Sequence, residues 1–205
     1  MKQIRIIFTS DIHGYFYPTD YLDRERKSKG LLHIAQTYHK DGNTLILDGG
    51  DTLQGSPFSY YSQMKGRPDI AAELMNQAGY DAVTIGNHDF NYGYEYLQSF
   101  LNQLNAVCVC QNCINKETGD SDFPWRIFQL ENGVCVGIVG AVTDFVNVWE
   151  KKENLSEVII SETYESIERA YNEIKDRADI TICLYHGGME CDTEAGKIWK
   201  LQERT

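Results

Sequence analysis

Four apolar runs in this sequence end in polar side chains whose chemistry suits metal binding or proton transfer. The residues are Asp11 and His13 after "IRIIFTS", Asp51 after "TLILDGG", Asn87 and His88 after "AVTIG", and His186 after "ITICLY". One such residue after a strand is usually structural, but the same event at four strand ends favours a common site. Oxygen and imidazole donors without thiolates suit Mn, Fe, Zn, Co or Mg ions. The pattern therefore predicts a metal centre.

The elements that would position these side chains alternate between strands and helices. Strand-like runs occur at Ile4–Ser10, Thr44–Asp48, Ala82–Ile85, Ala106–Cys110, Val134–Val139 and Ile180–Tyr185. Helical patterns occur at Leu31–Lys40, Asp69–Ala78, Tyr92–Leu104 and Glu162–Arg177. The alternation predicts an α/β domain, and the hairpin signal Asn132-Gly133 makes the sheet mixed rather than purely parallel. Since α/β sheets bind ligands at the carboxyl ends of their strands, we expect all four motifs at one edge.

Length and charge limit the possible partners. A chain of 205 residues with a net charge of -11 is long enough for one substantial core, and it lacks the basic character that nucleic-acid binding requires. A small anionic substrate is compatible with this charge, because bound divalent ions supply local positive charge. No apolar run spans a membrane and no export signal is visible, so we expect a cytoplasmic protein with no membrane partner and no nucleic-acid partner.

The six cysteines are expected to be reduced thiols, because no export signal points to an oxidising compartment. Three of them form the cluster C-x-C-x-x-C at Cys108, Cys110 and Cys113. Zinc binding by this cluster is an alternative, but no second ligand pair accompanies it. Two of the three also lie in an apolar run, which favours the role of small buried hydrophobic side chains.

Taken in order, the motifs D-x-H, G-D, G-N-H-D and a strand ending in His resemble the calcineurin-like metallophosphoesterases. "GDTLQGSP" and "GNHDFNYG" resemble in particular the branch that contains 5'-nucleotidases and 2',3'-cyclic-nucleotide phosphodiesterases. The protein Ser/Thr phosphatases of the same superfamily carry an Arg shortly after G-D, which is absent here. The resemblance implies a mixed β-sheet sandwich flanked by helices, and metal-dependent hydrolysis of a small nucleotide substrate.

The resemblance also implies roles for individual residues. It implies Asp11 and His13 at a first divalent ion, Asp51 as a ligand that bridges both ions, and Asn87 and His186 at a second. His88 would lie unligated beside the phosphate as a general acid. The better-known nucleotidases orient the catalytic His with an Asp, and here Asn91 takes that place, so the imidazolium receives less electrostatic support.

The C-terminal side of the pattern departs from the family. Its members close the site with a G-H-x-H motif, and none follows His186 before Thr205. We therefore expect residues 1–205 to be the N-terminal part of a catalytic domain, with no second domain present. The rest of the same chain would complete the site, and the piece alone would hold ions poorly. Two alternatives stay open: a non-catalytic fragment, and another metallophosphoesterase branch such as a nuclease, which the acidic surface disfavours.

Overall fold

The computed structural model describes residues 2–22 and 25–188, and beyond these only two short strands. In chain order the described strands are β1 (Arg5–Thr9), β2 (Thr44–Asp48), β3 (Ala82–Val83), β4 (Val107–Cys108), β5 (Cys113–Asn115), β6 (Arg126–Gln129), β7 (Cys135–Val142), β8 (Val158–Ile160), β9 (Ile180–His186), β10 (Cys191–Asp192) and β11 (Lys197–Ile198). The described α-helices are α1 (Leu31–Ala35), α2 (Pro57–Met64), α3 (Pro68–Ala78), α4 (Tyr94–Leu101), α5 (Val146–Trp149) and α6 (Thr163–Ile174). Two 3₁₀ helices, Asn87–Tyr92 and Lys152–Leu155, join them.

Two sheets carry the site. The first has the order β1-β2-β3-β4, with every neighbouring pair parallel. The second has the order β6-β7-β9, in which β6 and β7 form an antiparallel hairpin around Asn132-Gly133 while β7 and β9 are parallel. The mixed topology predicted from the hairpin signal is therefore confirmed. Strands β5 and β8 form a separate antiparallel pair.

The sheets face each other because their strands alternate apolar side chains. On β2, Leu45 and Leu47 enter a buried cluster that also contains Val136 and Ile138 of β7. The intervening Ile46 points the other way, into the cluster formed with the helices of the first sheet. Since successive strand residues point to opposite faces, one strand contributes to two layers of core. The result is a two-sheet sandwich.

Helices cover both outer faces of the sandwich. Helices α3 and α4 pack on the first sheet, and the buried residues of α3 include Ala72 and Met75. Helix α3 begins with Pro68 and ends at Ala78, and Gly79 caps it with a left-handed φ of 80°. Proline at the first position and glycine after the last are the helix boundary signals visible in the sequence. Ile174 of α6 packs against Val139 on the second sheet. The predicted α/β sandwich flanked by helices is confirmed.

The structure corrects several predicted boundaries. Helix α1 ends at Ala35 rather than at Lys40. The helix predicted from Tyr92 is α4, which begins only after Gly93, whose φ is 88°. Helix α2 was not predicted, because its buried residues are Ser59 and Ser62 rather than an apolar stripe. The strand pair β5–β8 and helix α5 were missed as well, since each is shorter than a recognisable period.

Candidate metal centre and active site

The strand-end residues meet at one rim of the sandwich, although they do not come from one sheet. The first three motifs follow β1, β2 and β3 of the first sheet, whereas His186 ends β9 of the second. The expectation that all four would lie at the edge of a single sheet was therefore wrong. The packing of the two sheets against each other brings His186 to the other three motifs. Local periodicity in the sequence does not encode this packing.

Asp11, His13 and Asp51 form the centre of the site. One ligand atom from each lies within 4.8 Å of the others. The Nε2 atom of His13 is 3.7 Å from Asp11 Oδ1 and 3.8 Å from Asp51 Oδ2. Two carboxylates and an imidazole converging in this way can coordinate a divalent ion.

His186 joins the cluster from the opposite sheet. Its Nε2 atom is 3.2 Å from Asp51 Oδ2, so Asp51 lies between two histidines, as a bridging ligand would. Burial lowers the pKa of His186, but the Asp51 carboxylate and the Gly49 carbonyl outweigh it and bring this pKa to about 9. For Asp51, burial raises the pKa, and contacts with His186 and the backbone N–H of His88 bring it below its ordinary value.

Both histidines are oriented by backbone carbonyl groups. His13 Nδ1 lies 2.6 Å from Gln54 O, and His186 Nδ1 lies 2.7 Å from Gly49 O. A carbonyl oxygen only accepts hydrogen bonds, so Nδ1 of each ring must carry a proton. In the neutral ring, Nε2 then has a lone pair that can bind a metal ion. Metal-binding histidines are held in this way, and the donor set therefore fits a metal ion.

Asn87 lies beside this cluster and lines a cavity of about 260 Å³. Asp11, His186, Trp149 and Tyr185 also line the cavity. Trp149 is 63% exposed. The lining of the cavity thus combines polar groups with aromatic side chains.

His88 and Asn91 lie next to the cluster but outside it. The backbone N–H of His88 donates to Asp51 Oδ1 over 2.7 Å, while its ring centroid is 5.5 Å from that of His13. The ring's Nδ1 is 2.8 Å from Asn91 Oδ1. His88 is exposed, and this position suits contact with a substrate.

The backbone is strained at the three residues of this cluster. Asp11, His13 and Asp51 have φ values of 57°, 49° and 57°, in the left-handed region that costs a non-glycine residue about 1–2 kcal/mol. Close packing accompanies this strain, because a Cβ added at Gly86 would collide with the backbone nitrogen of Asp51. Such strain persists only where the surrounding structure holds it in place.

Asp89 supplies that support and was assigned no role from the sequence. Asp89 is 3% exposed. It accepts N–H groups at 2.8–2.9 Å from Asp51, Thr52, Leu53 and Gly86. Burial and the nearby Asp51 charge raise the pKa of Asp89, while these N–H donors act in the opposite direction. The acidic residue at the end of G-N-H-D was the only sequence signal for this role.

The cysteine cluster packs in the interior. Cys110 and Cys113 are buried in the apolar core, and Cys108 packs against it. Burial raises the pKa of Cys110 to about 12, which disfavours the thiolate that zinc binding needs. The five cysteines whose side chains the structure describes are free thiols, and of these Cys110 and Cys113 are buried.

Two facing sheets that bring carboxylate, amide and imidazole groups to a common rim define a metallophosphoesterase-type domain. The chain belongs to the calcineurin-like phosphoesterase family, whose sequence model matches residues 4–204. No helix among the described residues is long and apolar enough to cross a membrane.

Three relatives show which branch the chain is similar to. The trifunctional nucleotide phosphoesterase protein YfkN of Bacillus subtilis is 32% identical over 91% of this chain. A 2',3'-cyclic-nucleotide 2'-phosphodiesterase/3'-nucleotidase of Haemophilus influenzae is 26% identical over 90% of it. The crystal structure of a proposed 5'-nucleotidase from Staphylococcus aureus matches 95% of the chain at 32% identity, with a TM-score of 0.84.

These relatives are all longer than this chain. The chain covers 14% of YfkN, 31% of the Haemophilus influenzae protein and 39% of the Staphylococcus aureus chain. The similarity therefore concerns one part of each relative.

Proposed function

We propose that the protein hydrolyses phosphoesters of small nucleotides, with two divalent ions held by the residues at the rim. The observation that carries the proposal is the position of Asp51 Oδ2, which is 3.8 Å from His13 Nε2 and 3.2 Å from His186 Nε2. Asp11 and His13 would complete one ion site, and Asn87 and His186 the other. When bound, such ions polarise the phosphoryl oxygens and lower the pKa of a bound water toward about 7.

His88 would act on the leaving group. Its Nδ1 is engaged by Asn91, so Nε2 is the nitrogen that remains for the substrate. As the imidazolium, His88 can give the Nε2 proton to the departing alkoxide oxygen when the P–O bond breaks. General-acid catalysis of this kind contributes about 10²–10⁴-fold to the rate.

The cavity and the charge favour a small substrate over a nucleic acid. A cavity of about 260 Å³ lined by Trp149 and Tyr185 suits one nucleoside, whose base can stack on an aromatic ring. The net charge of -11 would repel a polyphosphate backbone. The 2',3'-cyclic nucleotides carry one negative charge fewer than monophosphates, so they depend less on a charged partner of His88. We therefore place them first and 5'-monophosphates second.

The test is a substrate comparison with the natural full-length protein in Mn²⁺, Co²⁺, Zn²⁺ or Mg²⁺. We expect hydrolysis of 2',3'-cyclic AMP at least as fast as that of 5'-AMP, with little cleavage of single-stranded DNA. A chelator should abolish the activity, and added metal should restore it. Preferential DNA cleavage would assign a nuclease instead, and no hydrolysis with any ion would overturn the proposal.

A further inference from the structure

We infer that Glu150 is a positioning residue, whose carboxylate fixes the side-chain amide of Asn91 so that the amide oxygen faces His88. Glu150 follows helix α5 and belongs to none of the strand-end motifs. The inference rests on the proposed function, because it explains how the general acid is held.

The contacts form a chain of three side chains. Asn91 Nδ2 donates to Glu150 Oε2 over 2.5 Å, and Asn91 Oδ1 lies 2.8 Å from His88 Nδ1. A carboxylate only accepts hydrogen bonds, so the NH₂ end of the amide must face Glu150. The oxygen end is then left for His88, and His88 must carry a proton on Nδ1. The hydrogen bond made by one ring nitrogen decides the state of the other.

Glu150 is itself held in place. Its Oε1 accepts the backbone N–H of Lys151 over 2.7 Å and Asn154 Nδ2 over 2.9 Å. Asn154 Nδ2 also donates to the backbone oxygen of Asn91 over 3.2 Å. One carboxylate oxygen therefore accepts hydrogen bonds from Lys151 and Asn154, and the other accepts from Asn91. Glu150 is half-buried, while Asn91 and His88 are exposed.

Without this carboxylate, the contact that distinguishes the two ends of the Asn91 amide would be lost. A flipped amide would present NH₂ to His88 Nδ1, which then could accept only with its proton moved to Nε2. It would also repel the imidazolium that donates the proton to the leaving oxygen. In the observed arrangement, His88 gives up the Nε2 proton and becomes neutral while Nδ1–H stays bonded to Asn91.

The experiment compares Glu150→Gln in two backgrounds, with Glu153→Gln as a matched control. Glu153 lies on the 3₁₀ helix that follows Glu150 in the chain, and it is exposed. In the full-length protein we expect Glu150→Gln to lower kcat about 10-fold with little change in KM, because an amide that can flip misplaces the general acid. Glu153→Gln should leave kcat and KM unchanged.

In the Asn91→Asp background, Glu150→Gln should raise kcat rather than lower it. Two carboxylates would then face each other, and Glu150→Gln would replace their repulsion by a hydrogen bond from the introduced amide to the carboxylate at position 91. The second substitution should therefore raise kcat. A general loss of loop stability would lower kcat in both backgrounds, and that result would overturn the inference.

A second readout does not depend on turnover. In ¹⁵N-histidine NMR spectra, with the His88 signals assigned by loss in His88→Ala, neutral His88 should carry its proton on Nδ1. Glu150→Gln should move part of the population to the Nε2–H tautomer, and Glu153→Gln should not. Identical tautomers in all three proteins would overturn the inference. If the wild-type protein hydrolysed no nucleotide, the proposed function would fail while the tautomer result still decided the role of Glu150.

Discussion

At the scale of single residues, adjacent side chains have different tasks. Asp51 lies among the possible ligands with 2% exposure, whereas the neighbouring His88 ring contacts Asn91 and lies outside the cluster. The backbone N–H of His88 nevertheless donates to Asp51. The backbone of His88 thus holds Asp51, while its side chain lies where the proposed proton transfer would need it.

This division predicts a difference between two substitutions in the full-length protein. His88→Ala should lower kcat by about 10²–10⁴-fold and keep its metal, because only the general acid is lost. Asp51→Ala should lose both ions, because one carboxylate serves the pair. Elemental analysis and kinetics on the same samples measure both effects, with His39→Ala, an exposed histidine, as the control. Equal metal loss in the first two variants would contradict the assigned roles.

A second residue-scale prediction concerns Asp48 at the end of β2. Burial raises the pKa of Asp48 to about 7, with hydrogen bonds from Thr9, Gly50 and Thr52 only partly offsetting it. Below about pH 4 the carboxyl is neutral in both folded and unfolded states. Between about pH 4 and 7 only the unfolded state releases the proton, so roughly 4 kcal/mol of stability is lost as the pH rises.

Asp48→Asn cannot ionise and should not show this loss. The free energy of unfolding of the variant, minus that of the wild type, should therefore increase from about pH 4 to 7 and level off above. Urea denaturation at several pH values in the presence of a chelator measures it. Asp176→Asn, at an exposed position, should give a difference that is flat with pH. A flat difference for Asp48→Asn as well would show that its carboxyl ionises normally in the folded protein.

At the scale of elements, the short segment between β7 and β8 carries two contributions to the site. Helix α5 ends with Trp149, which lines the cavity, and the next residue is Glu150. The Trp149 ring packs at a tilt against Phe145, with their centroids 5.5 Å apart. A helix of one turn is therefore enough to present an aromatic surface beside the strand-end residues Asp11, Asn87 and His186.

This geometry predicts that Trp149 contacts the base of the substrate. Trp149→Ala should raise KM for a 2',3'-cyclic nucleotide about 10-fold, because stacking of a base on an aromatic ring is worth about 1–3 kcal/mol. Hydrolysis of β-glycerophosphate, which has no base, should be unaffected. Val148→Ala is the control, since Val148 is 73% exposed on the same helix. An equal rise in KM for both substrates would show that Trp149 maintains the cavity rather than contacting the base.

At the scale of the whole molecule, the site joins the two sheets. Asp51 follows a strand of the first sheet and His186 ends a strand of the second, and their side chains meet at 3.2 Å. Without metal this contact is an ion pair. With metal, both residues would bind the same centre, so ion binding would be coupled to the stability of the sandwich.

Metal should therefore raise the melting temperature, to an extent that depends on how complete the site is. A ligand at about 100 times its Kd adds about 2.7 kcal/mol to folding stability. Because the family resemblance implies further histidine ligands in a G-H-x-H motif, we expect Mn²⁺ to stabilise a protein that carries this motif more than residues 1–205 alone. Calorimetry with and without chelator measures the shift. Two tightly bound ions per 205-residue chain, by elemental analysis, would contradict the prediction of further ligands.

The sequence by itself determined the features that depend on local pattern. Strand β2 was predicted at its observed bounds, Thr44–Asp48, because the run "TLILD" lies between turn-forming neighbours. The hairpin at Asn132-Gly133 follows from turn chemistry. The types of possible ligand and their places at strand ends were visible for the same reason, since each motif is contiguous with its strand. The ligand roles themselves stay predictions.

Only the tertiary structure decided which of these groups meet. His186 and Asp51 come together because two sheets pack face to face through Leu47 and Val136. Glu150 reaches Asn91 across 59 positions of the chain, in a segment without periodicity. Contacts of this kind depend on the packing of layers that are distant in sequence, and a local pattern of apolar and polar residues carries no record of them.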